Sequence, residues 1–279
     1  MSSPVLEAPV LEAQNLSKFF GQVISLNDVS LTASAGQVTC VLGDNGAGKS
    51  TLIKILAGFH QPDKGMLLID GQEHPFRSPH DARKAGIAVV YQDLAMQPLM
   101  PVWRNFFLGE EPRRRIGPFR FLDRAKARRI CREEMAKMGI NVRSVDQPVG
   151  NLSGGERQSI ATARAVYFGA RLIILDEPTS ALGVRQSGVV LKYVLRARDE
   201  GLAVIFITHN PAHAIMVGDH FVLLNRGKCI GDYAAGTVSE EELIHQMAGG
   251  AELAKLRTEL LVGGATDRQQ SDKIGSAPG

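Results

Sequence analysis

Val38-Thr39-Cys40-Val41-Leu42 is an apolar run, and Gly43-Asp44-Asn45-Gly46-Ala47-Gly48-Lys49-Ser50-Thr51 follows it directly. The spacing of Gly43, Gly48, Lys49 and Ser50 is that of the phosphate-binding P-loop, which needs a strand before it and a helix after it. Both are expected here, because Lys49 to Ala57 is helix-compatible and stops at Gly58. Glycines let such a loop wrap until its backbone N–H groups face phosphate oxygens, and the positive end of the helix reinforces them. A nucleotide would lie against Gly43, Asp44, Asn45, Gly46, Ala47, Gly48, Lys49, Ser50 and Thr51, with Lys49 on the β and γ phosphates and Ser50 ligating Mg²⁺. A chance glycine-rich turn is the alternative, and the strand-turn-helix placement counts against it.

Further strands are expected at Gly65 to Asp70, Ile87 to Tyr91, Leu172 to Leu175 and Leu202 to Thr208. They are nearly continuous apolar runs, which suits strands of an α/β sheet covered on both faces. Gln186 to Arg198 reads as a helix ended by Gly201. A hairpin turned at Arg226-Gly227 leads to a helix whose start carries a capping box from Ser239 to Glu242. Between Asp93 and Asn151 the strand signal disappears. Prolines there give way to a basic helical run from Asp123 to Met138, the pattern of an inserted, mainly helical subdomain. At the ends, Pro4 to Ala8 repeats as Pro9 to Ala13, so the first copy reads as a dispensable extension, and residues 263–279 read as a disordered tail.

The 279 residues, 44% of them hydrophobic, are enough to bury a substantial core. A net charge of +3 does not by itself argue for a nucleic-acid partner. Arg113, Arg114, Arg115, Arg124, Lys126, Arg128 and Arg129 read as a solvated helix face without interleaved stacking aromatics, and no nucleic acid is expected. The start shows no signal-peptide pattern, and no run approaches the ~20 apolar residues of a membrane span, so the chain is expected in the cytosol. Cys40, Cys131 and Cys229 have neither metal-ligand spacing nor an even count and are expected as reduced, packed thiols.

Leu172-Ile173-Ile174-Leu175-Asp176-Glu177-Pro178 supplies an apolar strand that ends in two carboxylates. Asp176 could hold the Mg²⁺ shell, and Glu177 could orient and polarise an attacking water. Alone, such a strand usually runs into a solvated turn; the P-loop in the same chain reverses that reading. Leu152-Ser153-Gly154-Gly155-Glu156-Arg157-Gln158 offers a second anion-binding helix start, with the Ser153 hydroxyl and the Gly154 and Gly155 amides at the mouth of a helix from Glu156 to Phe168. Gln92 stands at the end of one expected strand and His209 at the end of another. With these five elements in this order, the chain resembles the ABC (ATP-binding cassette) ATPase family.

The resemblance spans about residues 11–248. It implies an α/β fold: a P-loop NTPase (RecA-like) core with an N-terminal antiparallel β region and a helical subdomain inserted at about 93–160. Residues 1–10 would be an extension and 249–279 a helix remnant and tail. It further implies an ATPase that uses ATP and Mg²⁺ as a head-to-tail homodimer, in which Ser153, Gly154 and Gly155 of one subunit contact the ATP on the other's P-loop. Gln92, with Ser50 and Asp176, would touch the Mg²⁺ and water, and would relay nucleotide state to a permease. His209 would hold the γ-phosphate and Glu177 in geometry. Phe20, with Phe19 as its rival, falls where the family stacks an aromatic on adenine. One departure stands out: Ser180-Ala181-Leu182 is followed by Gly183 where the family usually has Asp. The lost carboxylate removes a polar contact across the dimer, which bears on coupling between the two sites and leaves hydrolysis intact.

Fused exporters of this family carry membrane helices, translation-type members carry two cassettes, and repair-type members insert long coiled coils before the signature segment. The sequence has none of these features, which points to the separate subunit of an importer. A P-loop small-molecule kinase would give no reason for Leu152 to Gln158 or for His209. Between the motifs, Phe76 to Ile87, Tyr91-Gln92-Asp93-Leu94-Ala95 and Asn105-Phe106-Phe107-Leu108-Gly109 resemble simple-sugar importer ATPases. That likeness implies a monosaccharide cargo such as fructose, ribose or xylose, a permease of two integral-membrane subunits, an extracytoplasmic sugar-binding protein, and a place on the cytoplasmic face of the membrane. Another polar nutrient carried on a shared scaffold is the alternative.

Overall fold

The structure, a computed structural model, describes residues 9–137, 140 and 142–247. Of the expected extension at residues 1–10, residues 1–8 lie outside the described residues, as do the expected helix remnant and tail at 249–279. The chain opens with strands β1 (Leu11–Phe20), β2 (Val23–Ala33) and β3 (Val38–Leu42), then helix α1 (Lys49–Leu56). Next come β4 (Lys64–Ile69), β5 (Gln72–Glu73), α2 (Pro79–Lys84) and β6 (Ile87–Val90). The middle holds α3 (Val102–Phe106), β7 (Arg113–Ile116), β8 (Phe119–Leu122), α4 (Arg124–Lys137) and α5 (Gly154–Tyr167). The last part alternates: β9 (Leu172–Asp176), α6 (Val184–Asp199), β10 (Ala203–Thr208), α7 (Pro211–Val217), β11 (His220–Asn225), β12 (Lys228–Ala234) and α8 (Glu240–Met247).

The centre is a six-stranded sheet in the order β12-β11-β3-β10-β9-β6, parallel throughout except for the antiparallel edge pair β11–β12. Every residue of β3 and β10 is buried, as continuous apolar runs in a parallel sheet require. Side chains alternate between two cores. Val41, Ile174, Ile205 and Ile207 join the α1 side with Leu52, Ile53 and Leu56, while Cys40, Leu175, Val204 and Phe206 join α6 and α7 through Leu191, Val194 and Ala214. Each such buried aliphatic contributes about 1.5–3 kcal/mol relative to an exposed one. The expected hairpin turns at Arg226 and Gly227, both at positive φ, and Ser239 and Glu242 form their capping box at the start of α8.

A second sheet, β2-β1-β4-β5, is antiparallel, and its inner face completes the α1-side core. The Gly65–Asp70 run is not a strand covered on both faces: β4 pairs with β1, leaves Met66 exposed and buries Leu67 and Ile69. Met66-Leu67-Leu68-Ile69 is apolar throughout, so the run hides the period-two alternation that the burial obeys.

Helices α3, α4 and α5 close around a third core containing Val102, Trp103, Phe106, Cys131, Met135 and Ile160. Helix α5 serves two cores, because Ala161 and Ala165 face the sheet. This lobe is not purely helical: β7 and β8 form a hairpin through Gly117 at φ +61°. Arg113, Arg114 and Arg115 lie on that hairpin and not on a helix, and Phe119 and Phe121 stand among them. A strand exposed along its length carries no hydrophobic alternation to reveal it. Cys40 and Cys131 are buried free thiols and Cys229 is half-buried, with burial raising the Cys131 pKa to about 12.

Candidate active site

β3, β10 and β9 are neighbours, so the segments leaving their C-terminal ends converge at one crest of the sheet. In open α/β folds this is where ligands bind. From β3 the chain turns through Gly43 to Gly48 into α1. Gly48 has φ +106°, and a Cβ there would come within 2.8 Å of the Ser25 carbonyl oxygen and Leu26 Cδ2. Conformation and space both demand glycine. The buried Lys49 curls back, its Nζ donating to the Gly43 carbonyl and, at 3.2 Å, to that of Asp44. Asp44, Asn45 and Gly46 are exposed, and so is Ser50. Thr51 Oγ1 lies 2.7 Å from Ser25 Oγ, which ties α1 to β2.

From β9 come the two carboxylates. Asp176 is half-buried; desolvation, then the neighbouring Glu177 charge, raise its pKa above the usual carboxylate range, with Lys49 opposing. Glu177 adopts φ +47°, a left-handed conformation that costs a non-glycine residue about 1–3 kcal/mol and persists when its surroundings fix it. They do: its N–H donates to the Ile207 carbonyl at 2.9 Å, and its own carbonyl accepts from the Ser180 N–H and hydroxyl. The side chain is thereby aimed at Lys49, 3.5 Å away, and at His209 Nδ1, 2.8 Å away at the end of β10. Beside them, Thr179 Oγ1 lies 2.9 Å from His213 Nδ1, and burial, then His209, lower the His213 pKa.

The expected signature residues sit elsewhere. Ser153 caps α5, accepting from the Glu156 N–H at 3.3 Å, while its own N–H and hydroxyl donate to Glu156 Oε2 at 2.8 and 2.7 Å. Among the described residues no hydrogen bond joins Ser153, Gly154 or Gly155 to the Gly43–Ser50 loop. A side chain on Gly154 would meet Leu182 Cδ2 at 2.5 Å, so the loop after β9 packs closely on this helix start. Gln92 is exposed and lines a cleft of about 290 Å³ together with Gly154, Gln158, Glu177 and Leu182. Phe20 is 45% exposed at the end of β1, edge-on to His60 at 5.5 Å, whereas Phe19 is half-buried. Gly183 precedes α6 as its N-cap residue without a capping side chain.

Three features of the site carried no sequence signal: the Ser25–Thr51 pair, the Thr179–His213 pair, and Gln158, whose buried Nε2 has no hydrogen-bond partner. Each depends on elements that are distant in sequence. No cluster of three or more His, Cys, Asp or Glu side chains suited to a metal occurs among the described residues. Magnesium, however, is usually held by one or two carboxylates completed by water and phosphate oxygens. Asp176 with the Ser50 hydroxyl fits that hard-oxygen donor set.

Residues 26–180 match the family model described as ABC transporter. The chain belongs to the ABC transporter family. It is 41% identical over 242 residues to a xylose/arabinose import ATP-binding protein of Sulfolobus acidocaldarius, covering 87% of this chain and 95% of that one. It is also 41% identical over 230 residues to a fructose import ATP-binding protein of Rhizobium meliloti, covering 80% and 88% of the two. An ATP-binding cassette of an ABC transporter, solved in its ADP conformation, superposes with a TM-score of 0.73 at 24% identity over 86% of this chain and 95% of that one. That likeness confirms the fold. As an ABC ATP-binding cassette, the chain is a nucleotide-binding, transport-coupled ATPase.

Proposed function

We propose that this cassette drives the import of a simple sugar through a membrane permease, hydrolysing ATP at two composite sites of a homodimer. The observation that carries hydrolysis is Glu177, fixed in a strained conformation and aimed between Lys49 and His209. In this reading Lys49 exchanges its loop carbonyls for the β and γ phosphates, Glu177 orients the attacking water and accepts its proton, and His209 holds the Glu177 carboxylate in place. Mg²⁺, held by Ser50 and Asp176 with Gln92 at its margin, would supply charge neutralisation for the phosphates. Ser153, Gly154 and Gly155 would serve the partner's ATP, and Phe20, the more exposed of the adjacent pair, would stack on adenine.

A monosaccharide cargo is supported by the names of the relatives, which import xylose or arabinose and fructose. The permease reading is supported by a second, larger groove of about 630 Å³ running from Tyr91 and Leu94 to Phe59, Leu108 and Phe168, immediately beside Gln92. No described helix is long and apolar enough to cross a membrane, so passage of the sugar would fall to a separate permease of two subunits fed by an extracytoplasmic binding protein. The cassette would work from the cytoplasmic face. Co-purification should bring down a polytopic membrane protein, and ATPase activity of the reconstituted complex should rise with binding protein loaded with a monosaccharide. Stimulation by an amino acid alone would refute the sugar reading.

A further inference from the structure

The hairpin β7–β8 takes no part in the nucleotide chemistry. Over Arg113–Leu122 it carries four arginines and no carboxylate. Its register opposes Arg114 to Phe121 and Ile116 to Phe119, which sets those four side chains on one face and Arg113, Arg115, Arg120 and Leu122 on the other. Leu122 packs on the helical lobe, so the Ile116, Phe119 and Phe121 face turns away from the body. These three are 51%, 66% and 48% exposed, and the two phenylalanine rings lie 6.2 Å apart. The Arg115 side chain donates to the Gly117 carbonyl; the side chains of Arg113, Arg114 and Arg120 have no ion-pair or hydrogen-bond partner among the described residues. Glu111 offsets some of this charge at the hairpin's base, its pKa lowered first by its own and Gly109's backbone N–H groups and then by Arg113 and Arg104.

We infer that this hairpin is a lipid-contacting element whose ligand is the surface of an anionic bilayer. Phenyl rings settle at headgroup depth, and guanidiniums meet lipid phosphate while their stems cover apolar surface. The hairpin also starts three residues after Glu110, which lines the large groove, so at most about 10 Å of chain separates the two. That second argument rests on the groove being the permease side; the charge and the exposed aromatics do not. Single-stranded RNA could use arginines and rings too, but it is bound along a basic groove that tracks the backbone over several nucleotides. Four arginines on one short hairpin of a chain with net charge +3 do not make such a track.

The test is flotation of the full chain with vesicles of phosphatidylcholine and phosphatidylglycerol in equal parts, and with phosphatidylcholine alone. The expected result is binding to the first and not the second, weakened by salt. Each arginine near an anionic surface is worth about fivefold in partitioning, so joint replacement of Arg113, Arg114, Arg115 and Arg120 by Ser should reduce binding by roughly 600-fold if all four lie within reach of the lipid charge. Joint Phe119→Ser and Phe121→Ser should weaken binding at unchanged charge. Both variants should keep wild-type ATPase activity in solution, which reports an intact fold. The inference is overturned by no flotation of the wild type, by equal binding to both lipid mixtures, by undiminished binding of the arginine variant, or by single-stranded RNA displacing the vesicles. Failure here leaves the permease reading standing, since co-purification tests that separately.

Discussion

Lys49, Glu177 and His209 leave three different strands and meet within 3.5 Å, whereas Ser153 and Glu156 stand one turn apart on a single helix and satisfy each other. The first arrangement is tertiary. It exists because β10 lies between β3 and β9 in a parallel sheet, and because Glu177 is pinned at positive φ by the Ile207 carbonyl. The second is local, a capping box written within four consecutive residues. In the proposed composite site this contrast is a division of labour: one chain assembles the half that would perform chemistry, and its Ser153 helix start, whose hydroxyl is engaged only with its own turn, would be the half offered to a partner. Such a hydroxyl is available to a second subunit at the cost of one internal hydrogen bond, roughly 0.5–1.5 kcal/mol.

Breaking the tertiary half should have the largest effect. Lys49→Ala removes the charge proposed to meet the β and γ phosphates, and ATP turnover should fall about 10²-fold or more. Hydrolysis within a few-fold of wild type would sink the loop's assignment. His209→Ala takes away the hydrogen bond that orients Glu177 while leaving the carboxylate present. Turnover should fall on the order of tenfold to 10²-fold, with ATP affinity largely retained. Equal losses in turnover and binding would instead give His209 a purely binding role.

The carboxylate beside Glu177 offers a test through stability. The Asp176 pKa is raised in the folded state by desolvation and by Glu177. Its contribution is therefore favourable below the unfolded value, near pH 4, and is lost as pH rises through the raised folded value. At neutral pH the ionised group costs stability, so Asp176→Asn should abolish turnover and yet raise the Tm of the nucleotide-free protein, a gain that disappears on acidification. A lowered Tm at pH 7 would contradict this account.

Much of the fold was legible in sequence because it is locally encoded. The strand and helix around Gly43 to Ser50, the turn at Arg226-Gly227 and the box at Ser239 and Glu242 each announce themselves within a few residues. The contact between Glu177 and His209 is implied only by the family resemblance, since it spans 32 residues and depends on β9 pairing with β10 in one register. Gln158 has no signal at all, because its unpaired amide is a product of packing. Gly65–Asp70 does not reveal its sheet because a short all-apolar run has no visible period, and the Arg113–Leu122 hairpin, exposed at every residue but Leu122, has too little buried surface to mark it as strand.

Altering the local half should have smaller effects. Ser153→Ala loses the cap and should cost about 1 kcal/mol in denaturant unfolding, with a further loss of turnover that is steepest at low protein concentration if the hydroxyl serves a partner. The smallest effect is expected at Gly183. Its φ of −72° suits any residue, and a Cβ there meets nothing within 4 Å, so Gly183→Asp should fit and, as an N-cap, add a few tenths of a kcal/mol. A change in the cooperativity of ATP hydrolysis in this variant would show that a carboxylate here couples the two sites.

The division between the two halves is tested most directly by Glu177→Gln. The substitution removes proton acceptance while leaving the other groups facing the phosphates in place, so the variant should bind ATP and scarcely hydrolyse it. Size-exclusion chromatography of the purified variant with Mg-ATP should then show a dimer, and the added substitution Ser153→Ala should return it to monomer. A Glu177→Gln protein that binds ATP and stays monomeric at every concentration, alone and with its co-purified permease, would contradict the composite site.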